Sequence, residues 1–152
     1  MAEATGVPYK VTFYGNPRSY VKELTNPVKM RDGQGENKEV FALMQAYYQV
    51  ERALPPANKT LASPVQAMMM MSSTVVTDRV TADGKTRVAE LLKSGKSDNE
   101  IFEELLLSTV SRFPTDSEKE LMGRLVAEKG RNKAFEDIMW VLMNNAEFLL
   151  NH

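Results

Sequence analysis

The chain has 152 residues, 43% hydrophobic and 26% charged, enough for one domain that buries a core without a metal or disulfide staple. Nineteen Lys plus Arg stand against twenty Asp plus Glu, a net charge of -1, so the basic surplus that nucleic acid or an anionic membrane calls for is missing. There are no cysteines, which excludes disulfides, thiolate zinc sites, iron–sulfur clusters and covalent c-type haem attachment.

The first residues, MAEATGVPYK, hold no basic region followed by an apolar run, so no signal peptide is expected in this chain. No stretch approaches the ~20 apolar residues of a membrane span, and no membrane insertion is expected. Residues 1–36 are punctuated by Pro8, Gly15, Pro17, Pro27, Gly33 and Gly35, which forbids a long helix. Lys10-Val11-Thr12-Phe13-Tyr14 alternates like a short strand, but no partner strand can be located. The expectation is an extended arm. Its aromatics Tyr9, Phe13, Tyr14 and Tyr20 are the candidate partner-docking residues, to be covered by the chain's own helices or by a neighbour.

From Asn37 the period turns helical, and residues 37–152 are expected to form one helical domain. Val40, Phe41, Met44, Tyr47, Tyr48 and Leu54 recur at helical steps until Pro55-Pro56 ends the run. After a linker, Ser63-Pro64 reads as an N-cap with proline at the first helical position, where its missing N–H costs nothing. The apolar face continues to an Asp83-Gly84 turn, with a break near Ser72-Ser73. A short helix carrying Val88, Leu91 and Leu92 closes at Gly95, a left-handed cap. Two capping boxes follow, Ser97 to Glu100 and Thr115 to Glu118, in which hydroxyl and carboxylate satisfy each other's backbone N–H groups. Gly130 ends the second of these helices. The last helix begins near Lys133 with Phe135, Ile138, Met139, Leu142 and Met143 on one face, continued by Phe148 and Leu149. The class is all-α, an irregular or orthogonal bundle of five or six short helices with an extended aromatic N-terminal arm.

Groups that carry chemistry are scarce. Met68-Met69-Met70-Met71 offers soft thioether donors, but consecutive residues point around a helix at steps of about 100° and do not converge on one ion. They read as adaptable core filler. The single histidine, His152, is the terminal residue, and a chain end holds a catalytic imidazole poorly. Asp98-Asn99-Glu100 with Glu103-Glu104 lacks the alternating donors and turn glycine of a calcium loop, and reads as first-turn acids on a solvated helix. Trp140, the one tryptophan, reads as a core anchor of the last helix, with a sugar-stacking platform as the competing reading. No catalytic, cofactor-binding or metal residues are assigned, and no cofactor is expected.

Three stretches carry a family resemblance. Ser63-Pro64-Val65-Gln66-Ala67, Leu106 to Thr115 (LLSTVSRFPT) and Trp140 to Leu149 (WVLMNNAEFL) resemble, in order, the "(T/S)PxQAL", "LSRxPT" and "W-x-LLN-x-x-EFL" motifs of the domain-of-unknown-function family numbered 1553. The likeness runs from about Leu61 to the end. It departs at Met71 to Val76, where the family typically reads Leu-Asn-x-Pro-Phe-Val, and the Cys-x-x-Cys-His haem motif of the larger proteins is not here. That domain closes large planctomycete and acidobacterial proteins, often with a cytochrome-c-like domain at the front. The resemblance implies a bacterial parent, exported to the periplasm or cell surface, of which this chain is the closing part. The expected role is a non-catalytic helical interaction or assembly module with a protein partner or neighbouring domain. One alternative is an accessory subunit docking to a haem or electron-transfer protein; another is a hydrolase using scattered Asp/Glu pairs.

Overall fold

The computed structural model of the chain describes residues 1–13, 16–21, 38–46 and 64–150. The fold is helical, as the periodicity predicts: six helices of seven residues or more and three of a single turn account for most of the described residues. The chain packs as two compact units, one within residues 8–75 and one that joins residues 3–7 to the stretch from Val76 onward. Tyr14, Tyr47, Tyr48, Leu54, the Pro55 to Ala62 linker, Ser63 and His152 lie outside the described residues.

In the first unit β1 (Tyr9–Phe13) pairs antiparallel with β2 (Asn16–Val21), so the N-terminal arm holds a hairpin. The strand that wanted a partner finds it immediately downstream. Register runs Tyr9↔Val21, Lys10↔Tyr20 and Val11↔Ser19, then slips between Val11 and Phe13 to reach Phe13↔Asn16. Pro17 reads as a strand breaker in the sequence, but a two-stranded ribbon is all edge, where one absent N–H need not break the ladder. Val11 is wholly buried. The α2 helix (Lys38–Ala46) buries Val40 and Leu43, three residues apart on one face. In α3 (Pro64–Ser72), proline holds the first position as predicted, and Gln66 Nε2 donates to the Ala46 carbonyl at 3.0 Å, tying α3 to the end of α2. The expected break is real: Ser72 Oγ turns back to the Met68 carbonyl at 2.7 Å, Ser73 leaves the helix, and one turn, α4 (Thr74–Thr77), follows.

The second unit is built around one helix. The α8 helix (Arg131–Asn144) buries Ala134, Phe135, Ile138, Met139, Leu142 and Met143, and packs against α5 (Arg87–Lys93), α6 (Asp98–Val110), α7 (Asp116–Lys129) and α9 (Ala146–Leu150). Local chemistry sets where each partner starts and stops. Thr86 caps α5 by accepting from Ala89 N–H at 3.0 Å, and Gly95, at φ 76°, takes the chain out of it. Both predicted capping boxes form at α6 and α7. Gly130 ends α7 and opens α8 at φ 79°, a backbone that side chains rarely adopt. Arg131 then latches the start of α8 to the turn between α5 and α6, with Nε 2.6 Å from Oδ1 of Asp98, the first residue of α6, and Nη2 2.7 Å from the Lys96 carbonyl. From the start of the chain, the single turn α1 (Ala2–Thr5) closes at Gly6, and the Glu3 carbonyl accepts from Arg87 Nη2 at 2.9 Å.

Two expectations need adjusting. The last helix does not run on through Phe148: Asn145 turns extended at ψ 143° and its side chain accepts from Glu147 N–H at 3.2 Å, starting α9 as a cap. Asparagine bonds its own backbone readily, so the Asn144-Asn145 pair was the stop signal. Phe135 and Met139, wholly buried, anchor the last long helix, whereas Trp140 is half-buried. Accordingly, Phe135→Ala should cost about 3–5 kcal/mol in urea unfolding, and Trp140→Ala clearly less. Equal or reversed losses would make the tryptophan the anchor.

Candidate functional site

Along the second unit, α7 and α8 leave an open apolar groove of about 510 Å³, reached also by Phe102 of α6. Its floor is Phe102, Met122, Ile138 and Leu142, all buried. Its walls are Leu121, Leu125, Trp140 and Val141, and Leu121 and Val141 are each 57% exposed. The α7 helix starts at a capping box and α8 is anchored by its buried stripe, and the walls ride on these two helices.

An ion pair closes each end. At one end Arg112 grips Glu118 in a bidentate pair, Nη2 to Oε1 at 2.7 Å and Nη1 to Oε2 at 2.9 Å, and its Nε reaches Glu147 of α9 at 3.0 Å. The same Glu118 carboxylate accepts the Thr115 N–H at 2.8 Å, closing the capping box. Arg112 first, and the Thr115 N–H next, hold the Glu118 carboxyl down at about 2. At the other end Lys129 Nζ lies 2.8 Å from Asp137 Oδ2, and this hydrogen bond keeps Asp137 below the usual carboxylate range. General acid–base work wants a group poised near neutral pH, and both groove carboxylates are pushed away from it. The lining is therefore suited to apolar contact with charged ends.

Two further surface features lie outside the groove. A shallow depression of about 440 Å³ beside Glu3, Arg87 and Glu104 combines two carboxylates with one guanidinium already donating to the Glu3 carbonyl, which suits no anion. On α3 a second apolar face is exposed: Val65, Met68 and Met71, at steps of three, are 58%, 66% and 55% exposed. Met70 between them is buried and Met69 half-buried, so the methionine run does fan around its helix. Met68 and Met71 are thus surface residues rather than the core filler expected of them.

Of the predicted docking aromatics, Tyr9 is half-buried in β1, Phe13 ends that strand, and Tyr20 sits in β2 opposite Lys10. Tyr14 is outside the described residues. The groove was missed by the sequence reading. Its signal was present: Val141 is apolar but lies off the stripe of Phe135, Ile138, Met139, Leu142 and Met143, and α7 carries two apolar rows where one suffices for a core.

Among the described residues no helix is long and apolar enough to cross a membrane, and no three His, Cys, Asp or Glu side chains are grouped to hold a metal ion. No family model matches this chain, and no curated protein or solved structure matches it either.

The clamp has a pH signature. A carboxylate whose folded pKa is depressed stabilises above its unfolded value, here 4.5, and loses that contribution as pH falls toward about 2. The stability gap between the native chain and Glu118→Gln should thus be constant above pH ~5 and shrink below ~4.5; a gap independent of pH in acid melts would show that Arg112 does not grip an ionised carboxylate. Dilute peroxide should oxidise Met68 and Met71 well before Met70, Met122, Met139 and Met143, read by peptide mass spectrometry. Equal rates would contradict the α3 packing.

Proposed function

We propose that this chain is a non-catalytic helical docking module that engages a protein partner or neighbouring domain through the α7/α8 groove. The observation that supports it is the groove itself: an apolar trough between two long helices, with Leu121 and Val141 held out in water and an ion pair at each end. Isolated exposed leucines are ordinary on protein surfaces, but a contiguous apolar trough with a charged rim is the anatomy of a contact site. The half-buried Trp140 adds the residue type most enriched among binding hot spots. Membership of a larger exported protein is part of this proposal and rests on the resemblance of the three motifs alone.

The test uses a photo-reactive phenylalanine in place of Leu121 or Val141 in the full chain, irradiated in the cells that make it. Polypeptide adducts should form from both positions and not from Glu90, an exposed residue of α5 away from the groove. No adduct at 121 and 141, or equal adducts at 90, would overturn the docking reading.

A further inference from the structure

We infer that the occupant of the groove is a second copy of this chain, whose α7 lies antiparallel along the first. This rests on the docking reading above and names the partner. One row of α7 carries the match. Glu118, Leu121, Leu125 and Lys129 follow each other at steps of three and four, so they share a face, and all four line the groove. Read forward the row is acid, apolar, apolar, base; read backward it is base, apolar, apolar, acid. Such a row is complementary to its own reverse. In an antiparallel pair Leu121 meets the partner's Leu125, and Glu118 meets the partner's Lys129, at both ends by symmetry.

The surrounding charges agree. The α7 helix opens with Asp116 and Glu118 and closes with Lys129, so its side-chain charges follow its macrodipole. A parallel copy would set acid on acid and dipole beside dipole; an antiparallel copy opposes both. The Arg112 cluster also has room for a cation, because one guanidinium there serves two carboxylates, Glu118 and Glu147. Lys129 spends one of its three N–H donors on Asp137 at 2.8 Å, so the incoming ammonium keeps that bond and adds to the Arg112–Glu118 pair without displacing it. Two α7/α8 hairpins joined this way make four helices around a shared seam, which covers Leu121, Leu125, Trp140 and Val141 together. A foreign amphipathic helix would satisfy the apolar floor, but only this chain's own α7 is known to match floor and ends at once.

Sedimentation equilibrium of the full chain should show a mass that rises with concentration from one chain toward two. Leu121→Lys and, separately, Val141→Glu should each weaken the dimer by roughly tenfold or more, with the circular dichroism of the native chain retained. Orientation is read with introduced thiols, since the chain has no cysteine. Ser117→Cys and Glu128→Cys lie at opposite ends of α7, each next to a charged end of the row, Glu118 and Lys129, and both are exposed. Under diamide the mixture of the two variants should cross-link fast and each alone slowly; the reverse pattern would mean parallel pairing and overturn the inference. A mass of one chain at every concentration would also overturn it, as would a dimer indifferent to Leu121→Lys and Val141→Glu. If the purified chain stays monomeric while irradiation in cells joins position 121 to a different polypeptide, the second copy is wrong and the docking module stands; if neither forms, both are wrong.

Discussion

The stripe of Ala134, Phe135, Ile138, Met139, Leu142 and Met143 on α8 is the feature on which the second unit is organised, because α5, α6, α7 and α9 all pack against that helix. Burying it drives α5, α6, α7 and α9 onto a single axis, and apolar area removed from water is the dominant favourable term in such packing. The partners do not contribute equally. Among the residues of α6, Ile101, Phe102, Leu105 and Leu106 are buried, whereas α7 buries Met122 alone and leaves Leu121 out. A helix of fourteen residues that commits one side chain to the core is held more by its ends than by its face. The groove follows from that imbalance: α8 is apolar over a wider arc than α7 covers.

Ends, then, matter more here than their energies suggest. The ion pairs of Arg112 and Lys129 involve side chains roughly a third or more exposed, except Asp137 and Glu118 at 29% and 32%, and exposed pairs contribute little to stability. Their effect is geometric. Arg112 joins the residues that follow α6 to the first turn of α7 and to α9, and the fork of the guanidinium fixes the direction of the carboxylate it grips. Ser111 supports the same corner by taking a left-handed conformation at φ 55°, unusual for a residue with a side chain. At the far end Gly130 makes the reversal into α8 that brings Lys129 over Asp137, one helical turn and more beyond the bend.

What the sequence made legible were the places where local chemistry is self-sufficient. Thr115 and Glu118 satisfy each other whatever lies around them, so the box is readable from four letters; so is proline at the start of α3 and glycine after α5. The class and the α8 stripe follow from period alone. Three things were not readable. The β1–β2 pairing depends on two short runs finding one another across a turn, and Pro17 masked the second run. The stop at Asn145 competes with an apolar period that continues past it through Phe148, and the period was the stronger signal on paper. The groove depends on which of two adjacent apolar rows of α7 the core uses, and periodicity names both Leu121 with Leu125 and Met122 with Val126 without ranking them. Only packing against α8 decides that Met122 goes inward.

The placement of the groove on helices bears on how it would bind. Ordering a loop or a long side chain at an interface costs free energy that subtracts from affinity, and sites built on helices avoid much of it. Here the floor residues Met122, Ile138 and Leu142 are already buried, the wall residues ride on two fourteen-residue helices, and the charged ends are paired before any partner arrives. Little in the trough remains to be ordered. The exposed face of α3 differs in kind: three flexible or small apolar side chains, two of them methionines, sit on a nine-residue helix with one buried residue of its own. Methionine surfaces adapt to many shapes, and a face of that sort selects weakly. The groove's fixed row of acid, leucine, leucine and lysine sets both spacing and direction for whatever lies in it, which is why the α7/α8 face carries the specific contact.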